Sequence, residues 1–300
     1  MPLTDTDQVL TTVRMGLIGK GIGLSRTPAM HIAEAEAQGL RCTYDLIDTD
    51  TSDYAGHTLR DLLNIAEDSG YAGLNITYPY KVEVIDHLDD LSDGARAVGA
   101  VNTVIFRNGK RTGHNTDASG FKTAFEMYLG DSAHEHVVLI GAGGAGVAVA
   151  HALARSGVKR LSIFDTDEKR ANDLSVQLHN SQTDCLSETV TDLERFLRNN
   201  APDGIVNATP MGMEKLPGTA VPAELHRKST WVADIVYFPL ETQLLKEARA
   251  AACQTMPGSG MAVYQAVRAF ELFTGRPADP ARMKATFDAF DTQPRSNAGS

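Results

Sequence analysis

The chain has 300 residues, 28 Lys+Arg against 38 Asp+Glu for a net charge of −10, and 42% hydrophobic and 22% charged residues. That length exceeds most single cores and predicts two ordinary globular domains. The acidic balance argues against nucleic acid or an anionic membrane surface as the main partner. Three scattered cysteines, Cys42, Cys185 and Cys253, fit neither a disulfide framework nor a zinc site; they predict a reducing, cytoplasmic setting. The segment Met1 to Thr12 lacks the basic and apolar regions of a signal peptide, and no apolar run approaches a membrane span.

In chain order, Val13 to Gly19 reads as a first strand ending on glycine. A loop, Lys20 to Thr27, leads to Pro28 at a helix start, and Ala29 to Gln38 reads as a helix stopped by Gly39. Cys42 to Asp48 is a second strand, Thr58 to Asp68 a second helix and Tyr71 to Thr77 a third strand. Ala100 to Phe106 and Arg111 to Gly113 are further strands, joined by a hairpin turn at Asn108-Gly109. Ser119 to Leu129 reads as a connecting helix.

The run Val137-Val138-Leu139-Ile140 then stops at Gly141-Ala142-Gly143-Gly144-Ala145-Gly146, and a helical segment from Val147 to Ser156 follows. A second apolar strand, Leu161 to Phe164, closes on Asp165. This is a βαβ unit with a G-x-G-x-x-G loop in the context that a dinucleotide site demands. Gly141 permits the tight turn, Gly143 lets backbone approach a pyrophosphate, and Gly146 lets helix and strand pack closely. The helix N-terminus offers unpaired N–H groups to the phosphates. Asp165 lies nineteen residues after Gly146, where a carboxylate accepts hydrogen bonds from a ribose 2′-hydroxyl and repels a 2′-phosphate. Lys169 and Arg170 soften that repulsion. Alternating helix and strand continue through Asp173 to Leu178, Asp192 to Arg198, Gly204 to Ala208 and Thr230 to Ile235. Pro257-Gly258-Ser259-Gly260 breaks the pattern before an amphipathic helix, Ala262 to Phe273. A last helix, Pro280 to Phe290, precedes a small polar tail expected to be disordered.

Other polar clusters carry chemistry. Ser25-Arg26-Thr27-Pro28 sets two hydroxyls before a helix, which suits a carboxylate; on spacing alone, N-capping by Thr27 is the simpler reading. Asn75 to Lys81 ends a strand with polar groups and a lysine. Gly99 to Thr103 and Gly113 to Asp117 are two more polar strand ends, each equally explained as a capped turn. His134 and His136 read as solvated turn residues, and Tyr264 and Phe270 as packing residues of their helix.

Taken in order, these segments resemble the shikimate/quinate dehydrogenase family. The matching stretches are Gly23 to Pro28, Asn75 to Lys81, Gly99 to Thr103, Gly113 to Asp117, Gly141 to Gly146, Asn207 to Met213 and Gly260 to Gln265. The resemblance implies an α/β protein of two domains: an N-terminal α/β substrate domain, residues 1–117, and a Rossmann dinucleotide-binding domain, residues 118–255. The C-terminal helices, 256–300, return to the first domain, and substrate is bound in a cleft. It implies catalysis by Lys81 and Asp117 and substrate binding by these two with Ser25, Thr27, Asn75, Thr77, Asn102, Tyr237 and Gln265. The cofactor residues implied are Gly141, Ala142, Gly143, Gly144, Ala145, Gly146, Asp165, Arg170, Thr209, Val236, Gly260 and Met261. No metal is implied, because the cofactor accepts the hydride itself. Two departures from the family pattern are informative: threonine replaces the second serine of serine-any-serine, and Asp165-Thr166-Asp167 stands where many NADP-dependent members carry Asn-Arg-Thr. Both resemble the NAD-dependent quinate/shikimate dehydrogenases. The expected cofactor is therefore NAD, with NADP poorer, acting on quinate and shikimate in a monomer or homodimer. The alternatives are a strict shikimate dehydrogenase, a different NAD(P)-linked reductase such as a methylenetetrahydrofolate dehydrogenase, and an inactive relative that senses NAD or quinate. The Ser25/Thr27 pair and Gln265 argue against the second, and the Lys81/Asp117 pair against the third.

Overall fold

A computed structural model of the chain describes residues 12–181 and 183–292. The expectations for the N-terminal segment before Thr12 and for the tail after Thr292 lie outside the described residues. From the N-terminus the elements are β1 (Thr12–Gly19), α1 (Thr27–Ala37), β2 (Arg41–Asp48), α2 (Leu59–Asp68), β3 (Tyr71–Ile76), β4 (Asp90–Leu91), α3 (Asp93–Val98), β5 (Thr103–Arg107), β6 (Lys110–His114) and α4 (Thr116–Leu129). There follow β7 (His136–Ile140), α5 (Gly144–Arg155), β8 (Arg160–Phe164), α6 (Glu168–Asn180), β9 (Leu186–Val190), α7 (Leu193–Asn199), β10 (Gly204–Asn207) and β11 (Trp231–Asp234). The chain then runs through α8 (Gln243–Ala250), β12 (Thr255–Met256), α9 (Gly258–Thr274) and α10 (Pro280–Thr292).

The chain divides into two compact units. The first takes in residues up to Asp90, Val101–Gly113 and Ala269 onward; the second takes in Leu91–Ala100 and His114–Arg268. Against the division expected from sequence, residues 91–100, 114–117 and 256–268 group with the dinucleotide-type unit.

The first sheet has the order β2-β1-β3-β5-β6-β4, with β1 parallel to both β2 and β3 and with β5 antiparallel to β3. Apolar residues Met15, Ile18, Leu74 and Ile76 point into the core, at most 1% exposed. The β5–β6 hairpin turns at Asn108 and Gly109, both at positive φ, as an Asn-Gly turn requires. Helix α2 opens on a capping box: Asp61 N–H donates to Thr58 Oγ1, and Thr58 N–H donates to the Asp61 carboxylate.

The second sheet is fully parallel, β12-β11-β10-β7-β8-β9. Its core includes Val137, Leu139, Leu153, Leu161, Ile163 and Val206, all fully buried. Helix α9 begins at Gly258, one residue after Pro257, so the Pro257–Gly260 segment opens the helix where the sequence read as a break. The glycine is needed there: a Cβ on Gly258 would stand 2.5 Å from the carbonyl oxygens of Ile235 and Val236. His136 is the first residue of β7, and its Nε2 lies 2.8 Å from Ser162 Oγ; it belongs to the sheet and is not a turn residue.

Helices α4 and α9 approach closely at Gly120, where a Cβ would lie 2.5 Å from the backbone nitrogen of Gln265. Backbone cannot yield as a flexible side chain can. Gly120→Ala should therefore lower stability by about 1–3 kcal/mol, the usual cost of overpacking. Denaturant unfolding checks this; an unchanged midpoint would mean that the two helices separate freely.

Candidate active site

In an open α/β sheet, ligands bind beyond the carboxyl ends of the strands, where neighbouring connections leave in opposite directions. In the first unit that point lies between β1 and β3, since β2 lies on the far side of β1. The loops there are tied together. Thr77 N–H donates to the Ile18 carbonyl (2.9 Å) and Lys20 N–H to the Tyr78 carbonyl (3.0 Å). Gly19 admits this approach, because a Cβ would stand 2.2 Å from Thr77 Cγ2. The Lys81 carbonyl accepts the Val101 N–H at 2.7 Å, which draws the Asn102-Thr103 segment to the same end. Ser25, Thr27, Thr77 and Lys81 are half-buried here, and Asn75 and Asn102 buried.

The local bonds explain the arrangement. Asp48, at the end of β2, accepts N–H bonds from Gly21 and Ile22, each at 2.9 Å, and so clamps the loop that leads to Ser25. Ser25 Oγ accepts the Thr27 N–H at 3.3 Å. Thr27 is the first helical residue, and Arg26 holds the cap position without a side-chain capping bond; the Thr27 hydroxyl is thus not the N-cap that spacing suggests. His31, one turn later and fully buried, places Nδ1 3.0 Å from the Thr27 carbonyl. A carbonyl can only accept, so Nδ1 carries the proton and Nε2 is bare. Burial pushes the His31 pKa down to about 4, against the opposing pull of the Thr27 bond. The ring packs among Tyr44, Phe270 and Phe273. Tyr44 OH in turn donates to Asn75 Oδ1 at 2.7 Å, and Asn75 Nδ2 donates to the Asn102 carbonyl and to Thr103 Oγ1. Much of the hydrogen-bonding capacity of Asn75 goes to holding these strand ends in register.

In the second unit the reversal lies between β7 and β10, with β8 and β9 on one side and β11 and β12 on the other. The glycine loop follows β7. Gly141 has φ +101°, and a Cβ there would lie 2.8 Å from the Ala208 carbonyl oxygen; a Cβ on Gly146 would lie 2.0 Å from the Gly141 oxygen. By contrast, a Cβ on Gly143 or Gly144 would meet nothing within 4 Å. The loop is close-packed against the protein at Gly141 and Gly146 and open at Gly143 and Gly144. Asp165 Oδ2 accepts the Ala142 N–H at 2.7 Å and Oδ1 accepts the Asp167 N–H at 2.9 Å. Exposed Arg170 pairs with Asp167 at 3.4 Å, and Lys169 with Asp173 at 2.6 Å.

The loop after β10 is held from below. Fully buried Asn207 presents Oδ1 to both the N–H (3.1 Å) and the hydroxyl (2.7 Å) of Thr209, while its Nδ2 donates to the Met211 carbonyl and to Asp234. Asp234 also accepts the Val236 N–H (3.0 Å) and the Thr242 hydroxyl (2.6 Å). Burial pushes the Asp234 pKa up to about 6, against those three donors. Asp117 stands half-buried in the first turn of α4, which Asn115 caps through Ala118 N–H at 3.0 Å. Gln265 donates to the Ala262 carbonyl one turn back. Gly260 and Met261 are buried, Met261 within the core, and Tyr237 is 46% exposed. Sequence reasoning missed Asp48, His31, Tyr44 and Asp234. Each acts through a partner on another strand, on the loop after one or one helical turn away, and none carries a motif of its own.

Among the described residues, no three His, Cys, Asp or Glu side chains group as a metal would need, and no helix is long and apolar enough to cross a membrane.

The chain is similar to known proteins along most of its length. Residues 17–104 match the shikimate dehydrogenase substrate binding domain, 122–245 the ThiF family and 258–286 the shikimate 5'-dehydrogenase C-terminal domain. A shikimate dehydrogenase (NADP(+)) of Streptomyces avermitilis is 48% identical over 280 residues, covering 90% of this chain and 93% of its own. A quinate/shikimate dehydrogenase (NAD(+)) of Corynebacterium glutamicum strain R is 47% identical over 279 residues, 92% of this chain and 98% of its own. The chain belongs to the shikimate/quinate dehydrogenase family. The structure of a quinate dehydrogenase from Corynebacterium glutamicum in complex with NAD superposes with a TM-score of 0.89 at 46% identity, covering 93% of this chain and 99% of that one.

His31 makes the first unit sensitive to acid. Its folded pKa, about 4, lies below the ordinary value of 6.5. The unfolded chain therefore binds the proton first, and the stability that neutral burial contributes is whole above the unfolded value and fades as pH falls toward the folded one. The stability advantage of wild type over His31→Gln should shrink by about 2 kcal/mol between about pH 7 and about pH 5. Denaturant melts at both pH values check this, and a constant gap would place the titration elsewhere.

Proposed function

We propose that this family member interconverts quinate with 3-dehydroquinate, and shikimate with 3-dehydroshikimate, using NAD, with NADP a poorer alternative. The observation that carries the reading is one chain with both halves of the chemistry. A strand-end cluster of hydroxyl, amide and amine groups stands in one unit, and a glycine loop held by a carboxylate stands in the other. The names of the Corynebacterium relatives support the substrates and the cofactor.

The residues present suit a dinucleotide. Gly143 and Gly144 leave their outer side open, and the first N–H groups of α5 favour a pyrophosphate. Asp165 suits a ribose diol and opposes a 2′-phosphate, while Thr209 and Val236, held by Asn207 and Asp234, border the cofactor. A cavity of about 870 Å³ is lined by Phe164, Thr191, Asp192 and Arg195, and Phe164 is the last residue of β8, directly before Asp165. When bound, NAD supplies the acceptor for the hydride that leaves the ring carbon.

The remaining work falls to the side chains. Ser25 and Thr27 donate their hydroxyls to the ring carboxylate. Asn102, Thr77, Asn75 and Gln265 hold the ring hydroxyls, with Tyr237 assisting at the carboxylate. Lys81 and Asp117 handle the proton. In the reductive direction Lys81 delivers it to the carbonyl oxygen; in the oxidative direction the hydroxyl proton leaves by the same path. Quinate carries a hydroxyl at its tetrahedral C1 that shikimate lacks, so the Ser25/Thr27 end distinguishes them. The extra methyl of Thr27 shifts the ratio and sets no absolute choice, since one methyl discriminates by only about 1–3 kcal/mol.

A crossed assay of two acids against two cofactors, followed by the absorbance of reduced nicotinamide, tests the reading. Both acids should turn over, with higher kcat/KM for NAD. No quinate turnover would make the protein a strict shikimate dehydrogenase, as the name of the Streptomyces relative suggests. No turnover of either would support a sensing role. Lys81→Ala should lower kcat by about 10²–10⁴-fold, the usual worth of a positioned proton-transfer group. Near-normal kcat would remove Lys81 from the mechanism. Thr27→Ser should move the kcat/KM ratio toward shikimate, and an unchanged ratio would separate Thr27 from C1.

A further inference from the structure

The residue between Ser25 and Thr27 is an arginine, and an exposed arginine beside two hydroxyls would itself attract a carboxylate. Arg26 is instead 7% exposed. Its Nη1 donates to the Phe287 carbonyl of α10 at 3.0 Å, and its guanidinium lies over the rings of Phe287 (4.8 Å) and Phe290 (5.4 Å). A second anchor joins the same two helices at their other ends. Glu34 of α1, fully buried, accepts the Asp279 N–H at 3.0 Å and Arg282 Nη1 at 2.7 Å at the start of α10. Thus α1 and α10 are pinned at both ends by charge-assisted bonds, the stronger class of hydrogen bond.

We infer that α10 is a positioning element for substrate, acting through Arg26. The reason is local. Only one residue separates the two hydroxyls, so the orientation of one relative to the other is set by the φ and ψ of Arg26 and by where its side chain is anchored. With the guanidinium buried against α10, residues 25 and 27 are held in one orientation and the cation is turned away from the carboxylate. The site thus recognises its anion by hydroxyl donors rather than by a full charge. The inference rests on the assignment of Ser25 and Thr27 to the carboxylate, made above.

The test uses the full chain and four variants, Arg26→Met, Phe290→Ala, Ser25→Ala and Thr27→Ala. Arg26→Met keeps the apolar stem and removes the guanidinium; Phe290→Ala removes a half-exposed ring, 43% accessible, and should leave folding intact. Steady-state kinetics are measured with quinate and with its carboxamide, together with NAD affinity by calorimetry. Arg26→Met should raise KM for quinate by about 10-fold, the worth of a bond to a charged group. Its kcat should stay within about 3-fold and its NAD affinity should be unchanged. Phe290→Ala should raise KM in the same direction by a smaller factor. Because the effect runs through the carboxylate donors, the preference for quinate over its carboxamide should fall in both variants; a general loosening of the fold would not change that preference. An unchanged KM for quinate in Arg26→Met would overturn the inference, and if that variant does not fold, an unchanged KM in Phe290→Ala does so. Ser25→Ala and Thr27→Ala separate the two levels. If they too leave the KM for quinate unchanged, the carboxylate assignment fails and the inference falls with it; if they raise it while Arg26→Met does not, only the role of α10 is lost.

Discussion

Parallel strands end on loops whose backbone N–H groups need acceptors, and in both units an aspartate at the end of a strand supplies them. Asp48, ending β2, takes two N–H groups of the loop after neighbouring β1. Asp165, just past β8, takes the Ala142 N–H of the loop after neighbouring β7. Asp234, ending β11, takes the Asn207 amide at the end of neighbouring β10 and the Val236 N–H of its own loop. An unpaired backbone group costs about as much as a lost hydrogen bond, so these carboxylates decide where three functional loops settle. The device is economical in the second unit. The same Asp165 that holds the glycine loop also takes the Asp167 N–H of its own loop.

Seen this way, the substrate-type and cofactor-type ends are built by one method and differ in what the loops carry. In the first unit the clamped loop ends on Ser25 and Thr27, and His31, Tyr44 and Asn75 extend the support from helix α1 across to β3. In the second, glycines take the place of side chains in the loop after β7. Close contacts at Gly141 and Gly146 fix the inner side of that loop, and open space at Gly143 and Gly144 leaves its outer side available.

Much of this was legible in the sequence, and what was not has physical reasons. The βαβ unit showed itself because apolar run, glycine loop and terminal acid are contiguous. The Asn108-Gly109 hairpin was visible because its turn requires positive φ at both residues. Strand β9, Leu186–Val190, went unread because only one of its residues is buried and it lies at the sheet edge, where apolar patterning is weak. The start of α9 was misread because Pro257-Gly258 has the composition of a turn, while the glycine serves a close approach to the loop after β11. The roles of Arg26 and Glu34 were out of reach: their partners on α10 lie some 250 residues away in sequence, and neither residue type at its position announces a buried bond. Of the candidate site, the family resemblance named residues and their expected roles, whereas the bonds by which strand-end aspartates hold the loops carrying them follow no motif and were not legible.

The NAD preference proposed above gives Asp165 two tasks: it holds the Ala142 N–H and it opposes a 2′-phosphate. Calorimetric titration of wild type and Asp165→Asn with NAD and with NADP separates the two tasks. Asparagine can keep an oxygen for the Ala142 N–H while losing the charge. Wild type should bind NAD more tightly than NADP. Asp165→Asn should hold NAD within a few-fold of wild type and lose most of the discrimination against NADP. A wild type that binds NADP as tightly as NAD, or an Asp165→Asn variant whose NAD-to-NADP ratio is unchanged, would contradict it.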